Sequence, residues 1–289
     1  MRRSARLISI SGISALAVLG TACSAGTDST APASGGRAGQ TSSAGTPSPA
    51  PTADPAAAVR AAVEAAGKTT ARIDEAIRLV GSGQDFTITV KGAFDMKADK
   101  GTLKAALSQT GARTGKAVPL DEIFDGDTVY VRMPTERSGD TAWRSTARDK
   151  AEAHYLMRAP LNDPEHVLRQ VAMAHQVTEV GPQKIDGVAT THYRGGLNAD
   201  ALLLRMARER RALMEGPLKA AGDNLAAFAD VWVTEDGRIA RIGLSCDLGA
   251  AKVETTMNLT AHGRTVKLPP LPRRAQPAAP GSIGGPLGG

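Results

Sequence analysis

The chain has 289 residues, of which 35 are basic and 29 acidic, giving a net charge of +6. Aromatic residues make up only 3% and the basic residues are dispersed. The chain therefore offers neither the clustered positive face nor the stacking platform of a nucleic-acid binder. Its two cysteines, Cys23 and Cys246, are too few to staple a small fold, so folding has to rest on an apolar core.

The N-terminus carries Arg2, Arg3 and Arg6, followed by an apolar stretch from Leu7 to Leu19 diluted by serine and glycine. A basic start, a short apolar run and small residues describe an export signal, and the run falls short of the ~20 residues a spanning helix needs. The sequence "LGTAC" at 19–23 resembles the lipobox of bacterial lipoproteins, with Gly20 at the place where the tightest form has an aliphatic residue. That resemblance implies cleavage after residue 22 and a diacylglyceryl thioether on Cys23, an anchor stable because more than one acyl chain is buried. Plain secretion with an incidental Cys23 is the alternative. Loss of residues 1–22 removes three arginines and lowers the charge to about +3. Residues 23–53 are almost entirely Ala, Gly, Ser, Thr and Pro, the composition of a flexible tether. Residues 269–289 have the same composition and are expected to form an unstructured tail. Residues 54–268 carry regular patterning of a length that suits one domain.

Within that domain, "Asp54-Pro55" supplies an N-cap acid and a proline for the first helical position. Val59, Val63, Ala66, Thr70, Ile73, Ile77 and Val80 follow in steps of three and four, so the spacing predicts one amphipathic helix reaching "Gly81-Ser82-Gly83". The period then becomes two. Phe86, Ile88 and Val90 alternate with polar residues, "ADKG" turns the chain, and Leu103, Ala105 and Leu107 answer from the next strand. Val129, Val131 and Met133 follow a "DG" turn, and "TAWRS" continues the sheet. "Asn162-Asp163-Pro164" opens a second helix with Val167, Leu168, Val171 and Ala174 on one face, leading to two strands joined at "KIDG". A third helix is expected from Ala199 to Glu215, stopped by Gly216-Pro217, with Leu202, Leu203, Met206, Leu213 and Met214 apolar. The last strands surround "EDG" and run through "RIGLSCDLG", placing Ile242, Leu244 and Cys246 on one face, and end with "AKVETTMNLTAHG", which includes Met257. Short connections and one-sided alternation predict an α+β fold: an antiparallel sheet with helices on its apolar face.

The segments "FDGDTVYVRMP" with "TAWRS", "VTEVGPQKIDGVATTHYRGGLNADALL" after "NDP", and "DVWVTEDGRIARI" occur in an order that resembles actinobacterial lipoproteins of the LppX/LprG type, which share a fold with the carriers LolA and LolB. The resemblance covers about residues 56–268. It implies a curved half-barrel with helices across its concave face, enclosing an apolar cavity that holds acyl chains in some members. In this sequence the cavity lining falls on Phe86, Ile88, Val90, Leu103, Ala105, Leu107, Val129, Val131, Met133, Ile242, Leu244 and Met257. Few aromatics and many alanines leave such an interior underfilled, a cost a hydrocarbon guest relieves. The same residues forming a closed core is the alternative, and the sequence leaves both open.

Chemistry-bearing patterns are sparse. His154, His166, His175, His192 and His262 lack metal-ligand spacing, and no phosphate loop, dinucleotide fingerprint or nucleophile elbow occurs. Asp121, Glu122, Asp125 and Asp127 depart from calcium-loop spacing and read as a solvated turn. The arginines of "RMARERR" (205–211) read as a wet helix face, with anionic headgroup contact as the lesser alternative. The expectation is a non-enzymatic, cofactor-free monomer, lipid-anchored at the extracytoplasmic face of the cell membrane, with an acyl lipid or glycolipid as ligand. A filled-core interaction or sensor module is the alternative.

Overall fold

The first element of the computed structural model, which describes residues 54–81, 85–109, 117–133, 142–249, 251–279 and 287–289, is shorter than its sequence period suggests. Helix α1 spans Pro55–Ala66. The Asp54 carboxylate accepts the Ala56 N–H at 3.0 Å, and Val59, Ala62 and Ala66 are buried. It stops at Gly67, and Thr70–Gly81 is strand β1, not the continuation of the helix. Ala71, Ile73, Glu75 and Ile77 point inward in steps of two. An acid in an inward place hid that period, and pairing on both sides, with Phe86–Asp95 (β2) and Ala251–Thr260 (β11), overrides local helical spacing.

The other strands are Lys100–Gln109 (β3), Val118–Asp125 (β4), Thr128–Arg132 (β5), Trp143–Ala147 (β6), His175–Ile185 (β7), Val188–Gly196 (β8), Ala226–Thr234 (β9), Ile239–Asp247 (β10) and Ala275–Pro277 (β12). Among the described residues they form one sheet in the order β12-β6-β5-β4-β3-β2-β1-β11-β10-β9-β8-β7. Every neighbouring pair is antiparallel except β12 with β6. The order is linear, so the sheet stays open. Its first half (β1–β6) and second half (β7–β11) are each local meanders, and they meet only where β1 pairs with β11.

One face of the sheet is covered. Helix α1 lies against β7, β9, β10 and Pro164–Ala172 (α2), whose N-cap is the Asp163 carboxylate accepting the Glu165 N–H at 3.0 Å. The irregular stretch 151–162 adds Ala151, Leu156, Met157, Ala159 and Leu161 to the core. Arg148 pins cover to sheet. Its guanidinium donates to both Asp163 oxygens at 2.9 and 2.8 Å and to Asp99 at 2.5 Å, and it lies 5.3 and 5.6 Å from the ring centroids of Phe94 and Phe124.

The third helix also departs from expectation. It divides into Ala199–Leu202 (α3) and Arg208–Ala221 (α4). The backbone between them bridges to Ala153 instead: Ala153 N–H donates to Arg205 O and Ala207 N–H to Ala153 O, both at 2.8 Å. Arg205 takes a left-handed φ of 52° there. Gly216-Pro217 does not stop α4; Pro217 lies inside it, and the helix ends at Gly222 (φ 50°). Only Leu218 of its 14 residues is buried, and Leu213, expected on the apolar face, is 67% exposed. Among the described residues no helix is long and apolar enough to cross a membrane.

The segment expected to be featureless, 269–289, is ordered in two places. Strand β12 extends the sheet beyond β6, with Ala278 N–H donating to Ser145 O at 2.9 Å. Leu287, Gly288 and Gly289 are buried under the cover. Residues 1–53, and with them Cys23 and the expected leader and tether, lie outside the described residues.

Candidate functional site

Register brings together eleven of the twelve residues singled out from the sequence, and Met133 follows the end of β5. Val90 lies opposite Ala105 on one side and Glu75 on the other, and Glu75 opposite Met257, which faces Ile242. A neighbouring row runs Val131, Glu122, Leu103. Ile88, Val90, Leu103, Ala105, Val129, Val131, Ile242, Leu244 and Met257 are each no more than 2% exposed. Phe86, Leu107 and Met133 are half-buried against the same cluster. Cys246 shares this face through its pairing with Val253 and Ala227, and burial pushes its thiol up to about 11.

Two acids interrupt the apolar face, and sequence reasoning missed both. Glu75 is 2% exposed and Glu122 is 1% exposed, so Glu122 belongs to the interior and not to the solvated turn expected of it. Its neighbours in that turn behave differently: Asp121 pairs with Arg132 and Asp125 with Lys100. The signal for both acids is phase. Glu75 stands in step with Ile73 and Ile77, and Glu122 with Leu120 and Phe124.

The cover answers them with Arg158, 2% exposed, and Asn162, 1% exposed. Asn162 Nδ2 donates to Glu122 Oε2 at 3.0 Å, and Arg158 Nη2 donates to Asn162 Oδ1 at 2.7 Å. Desolvation raises Glu75 to about 7 against the pull of the Arg158 charge. Desolvation likewise holds Glu122 well above the usual carboxylate range, although the Asn162 hydrogen bond and Arg158 oppose it. Burial lowers Arg158, with Glu75 and Glu122 countering. Two carboxyls that resist ionisation around one guanidinium let the interior approach neutrality by keeping a proton. Nearby His166 is held neutral, at about 4, chiefly by burial.

A groove of about 750 Å³ opens between α4 and the end of the sheet formed by β7 and β8. Leu197, Leu203, Leu218 and Leu225 supply its apolar wall, and Arg211, Lys219, Asp200 and Glu215 its rim. Leu197, Leu203 and Leu218 belong to the same apolar cluster as the sheet-face residues. The volume lies within the range of small-molecule sites. Of the "RMARERR" arginines, Arg205 donates to the Arg148 and Ala151 carbonyls and Arg211 to Leu203 O, while Arg208 and Arg210 are exposed. Among the described residues no group of three or more His, Cys, Asp or Glu is arranged to hold a metal.

No protein-family model matches the chain, and no curated protein matches it. Among solved structures it is similar to LprF from Mycobacterium bovis, at 13% identity over 76% of this chain and 98% of that one, with a TM-score of 0.46. It is also similar to the lipoprotein LppX from Mycobacterium tuberculosis, at 17% identity over 74% of this chain and 97% of that one, with a TM-score of 0.40. The chain is thus similar to two mycobacterial proteins, one of them a lipoprotein of the type that its sequence motifs resemble.

Proposed function

We propose that the protein is an envelope lipoprotein, anchored through Cys23, that binds acyl lipids or lipidated molecules without a chemical step. The observation carrying this reading is the apolar-walled groove beside α4, continuous with the buried cluster of the sheet face. An acyl chain entering there gains about 0.8 kcal/mol per buried methylene. A helix with one fully buried side chain, Leu218, has little packing to lose in yielding to it. The twelve residues singled out from the sequence form the floor that the chain reaches once the cover parts. Organic extraction of gently purified protein, followed by mass spectrometry, should recover hydrocarbon. Ala199→Trp, which fills the groove from a half-buried position, should weaken uptake of a pyrene-labelled fatty acid about 10-fold or more. Extracts free of lipid, together with no uptake by wild type, would end the lipid reading. For the anchor, Cys23→Ala should leave the membrane fraction or remain uncleaved.

A second reading, an interaction or sensor module with a filled core, is favoured by one observation: nine of these twelve residues are at most 2% exposed. In that case Ala105→Trp lowers stability by about 1–3 kcal/mol, and lipid uptake is absent in wild type as in the variant.

A further inference from the structure

The chain places its own segment Leu287–Gly289 against the buried charged cluster, and three successive main-chain oxygens are captured there. Leu287 O accepts from Asn162 Nδ2 at 2.8 Å and from Arg158 Nη2 at 3.3 Å. Gly288 O accepts the Leu161 N–H at 2.7 Å, and Gly289 O accepts the His154 N–H at 2.8 Å. The Leu287 side chain is 1% exposed and joins the apolar cluster. Gly289 has a φ of +110°, and a Cβ there would stand 2.5 Å from Ala159 O, so the last place accepts only glycine. Donors on a side chain, a guanidinium and two backbone amides, an apolar slot and a glycine-only place together make a specific site for an extended segment. These groups lie 125 or more residues away in the chain from the segment they hold.

We infer that Leu287–Gly289 is a built-in occupant of an internal ligand site, and that an acyl ligand has to displace it to reach the sheet face. The leucine stands where a hydrocarbon would lie, and its carbonyl where a lipid's ester oxygen would be received by Asn162 and Arg158. This inference rests on the lipid-binding reading for its ligand, but the seating of the segment does not. A site filled nine-tenths of the time weakens apparent affinity about 10-fold.

The test compares the purified full chain with Leu287→Asp and Gly289→Val, neither of which lies in a sheet strand, by two measurements. Amide hydrogen exchange at Leu161 and His154 reports the seat directly. Titration with a pyrene-labelled fatty acid reports the ligand. In wild type both amides should be protected, and exchange should quicken about 10-fold or more in either variant and on adding the fatty acid to wild type. Both variants should bind the probe about 10-fold more tightly. A peptide spanning residues 278–289 added to Leu287→Asp should restore the weaker binding. Unprotected Leu161 and His154 amides in wild type overturn the inference whatever the lipid result. Released amides with unchanged probe affinity overturn the gating and leave lipid binding standing. Uptake by no form overturns the lipid reading and the gating with it, and the exchange data alone then judge the seat.

Discussion

Glu75→Gln isolates the proton held in the interior. Burial raises the Glu75 carboxyl from 4.5 to about 7, so the folded protein binds this proton more tightly than the unfolded chain does. A raised folded-state value contributes stability that is whole below the unfolded value, near pH 4.5, and is lost as pH rises through about 7. The span amounts to about 3 kcal/mol, at about 1.4 kcal/mol for each pH unit between those limits. Glu122 is shifted in the same direction, so wild type should lose stability with rising pH through both groups, and Glu75→Gln should keep only the Glu122 share. Urea unfolding at pH 5, 6, 7 and 8 measures this, with m-values checked for constancy. The variant should be the flatter of the two and gain on wild type at pH 8. A Glu75→Gln protein whose stability falls as steeply as wild type's would refute the assignment of the proton to this carboxyl.

Cys246 should react slowly with a charged maleimide in the native state and rapidly in urea, because burial raises its thiol and withholds the thiolate; fast native labelling would contradict the β10 register. Arg148→Met should cost about 3–5 kcal/mol in urea unfolding, since it strands Asp163, whose side chain is 3% exposed; a loss under 1 kcal/mol would make the pin ornamental. At Gly92 a Cβ would stand 1.9 Å from Thr102 O, so Gly92→Ala should displace the β2–β3 backbone and cost about 1–3 kcal/mol; an unchanged melting temperature would count against that close approach.

What the sequence made legible was what local alternation encodes. Phe86 to Val90, Leu103 to Leu107 and Ile242 to Cys246 alternate cleanly, and the structure pairs them in register on one face. Legibility failed where a residue answers to a distant partner. Glu75 breaks an apolar series because Arg158 approaches from the cover, and the broken series passed for a helix. Arg158 itself stands in the irregular stretch 151–162, which has no period to read. The break between α3 and α4 is made by Ala153, about 50 residues upstream, and nothing near Leu203 announces it. The low-complexity composition of 269–289 gave no hint of this order, because it comes from distant partners: strand β6, donors on His154, Arg158, Leu161 and Asn162, and the apolar slot that takes Leu287.

The single seam between the two meanders sets the order of assembly. Strand β1 is among the first parts of the domain to be synthesised, yet its partner on one side, residues 251–260, is among the last. At ~5–20 residues per second, the roughly 170 residues between them represent on the order of 10–30 s of synthesis. During that time the β2–β6 meander can close, while the other margin of β1 carries unpaired backbone groups beside Ala71, Ile73 and Ile77. Pairing over such a sequence distance is slow, so closure of this seam should limit the folding rate. Until it closes, each copy bears an open apolar edge able to accept the β11 of another.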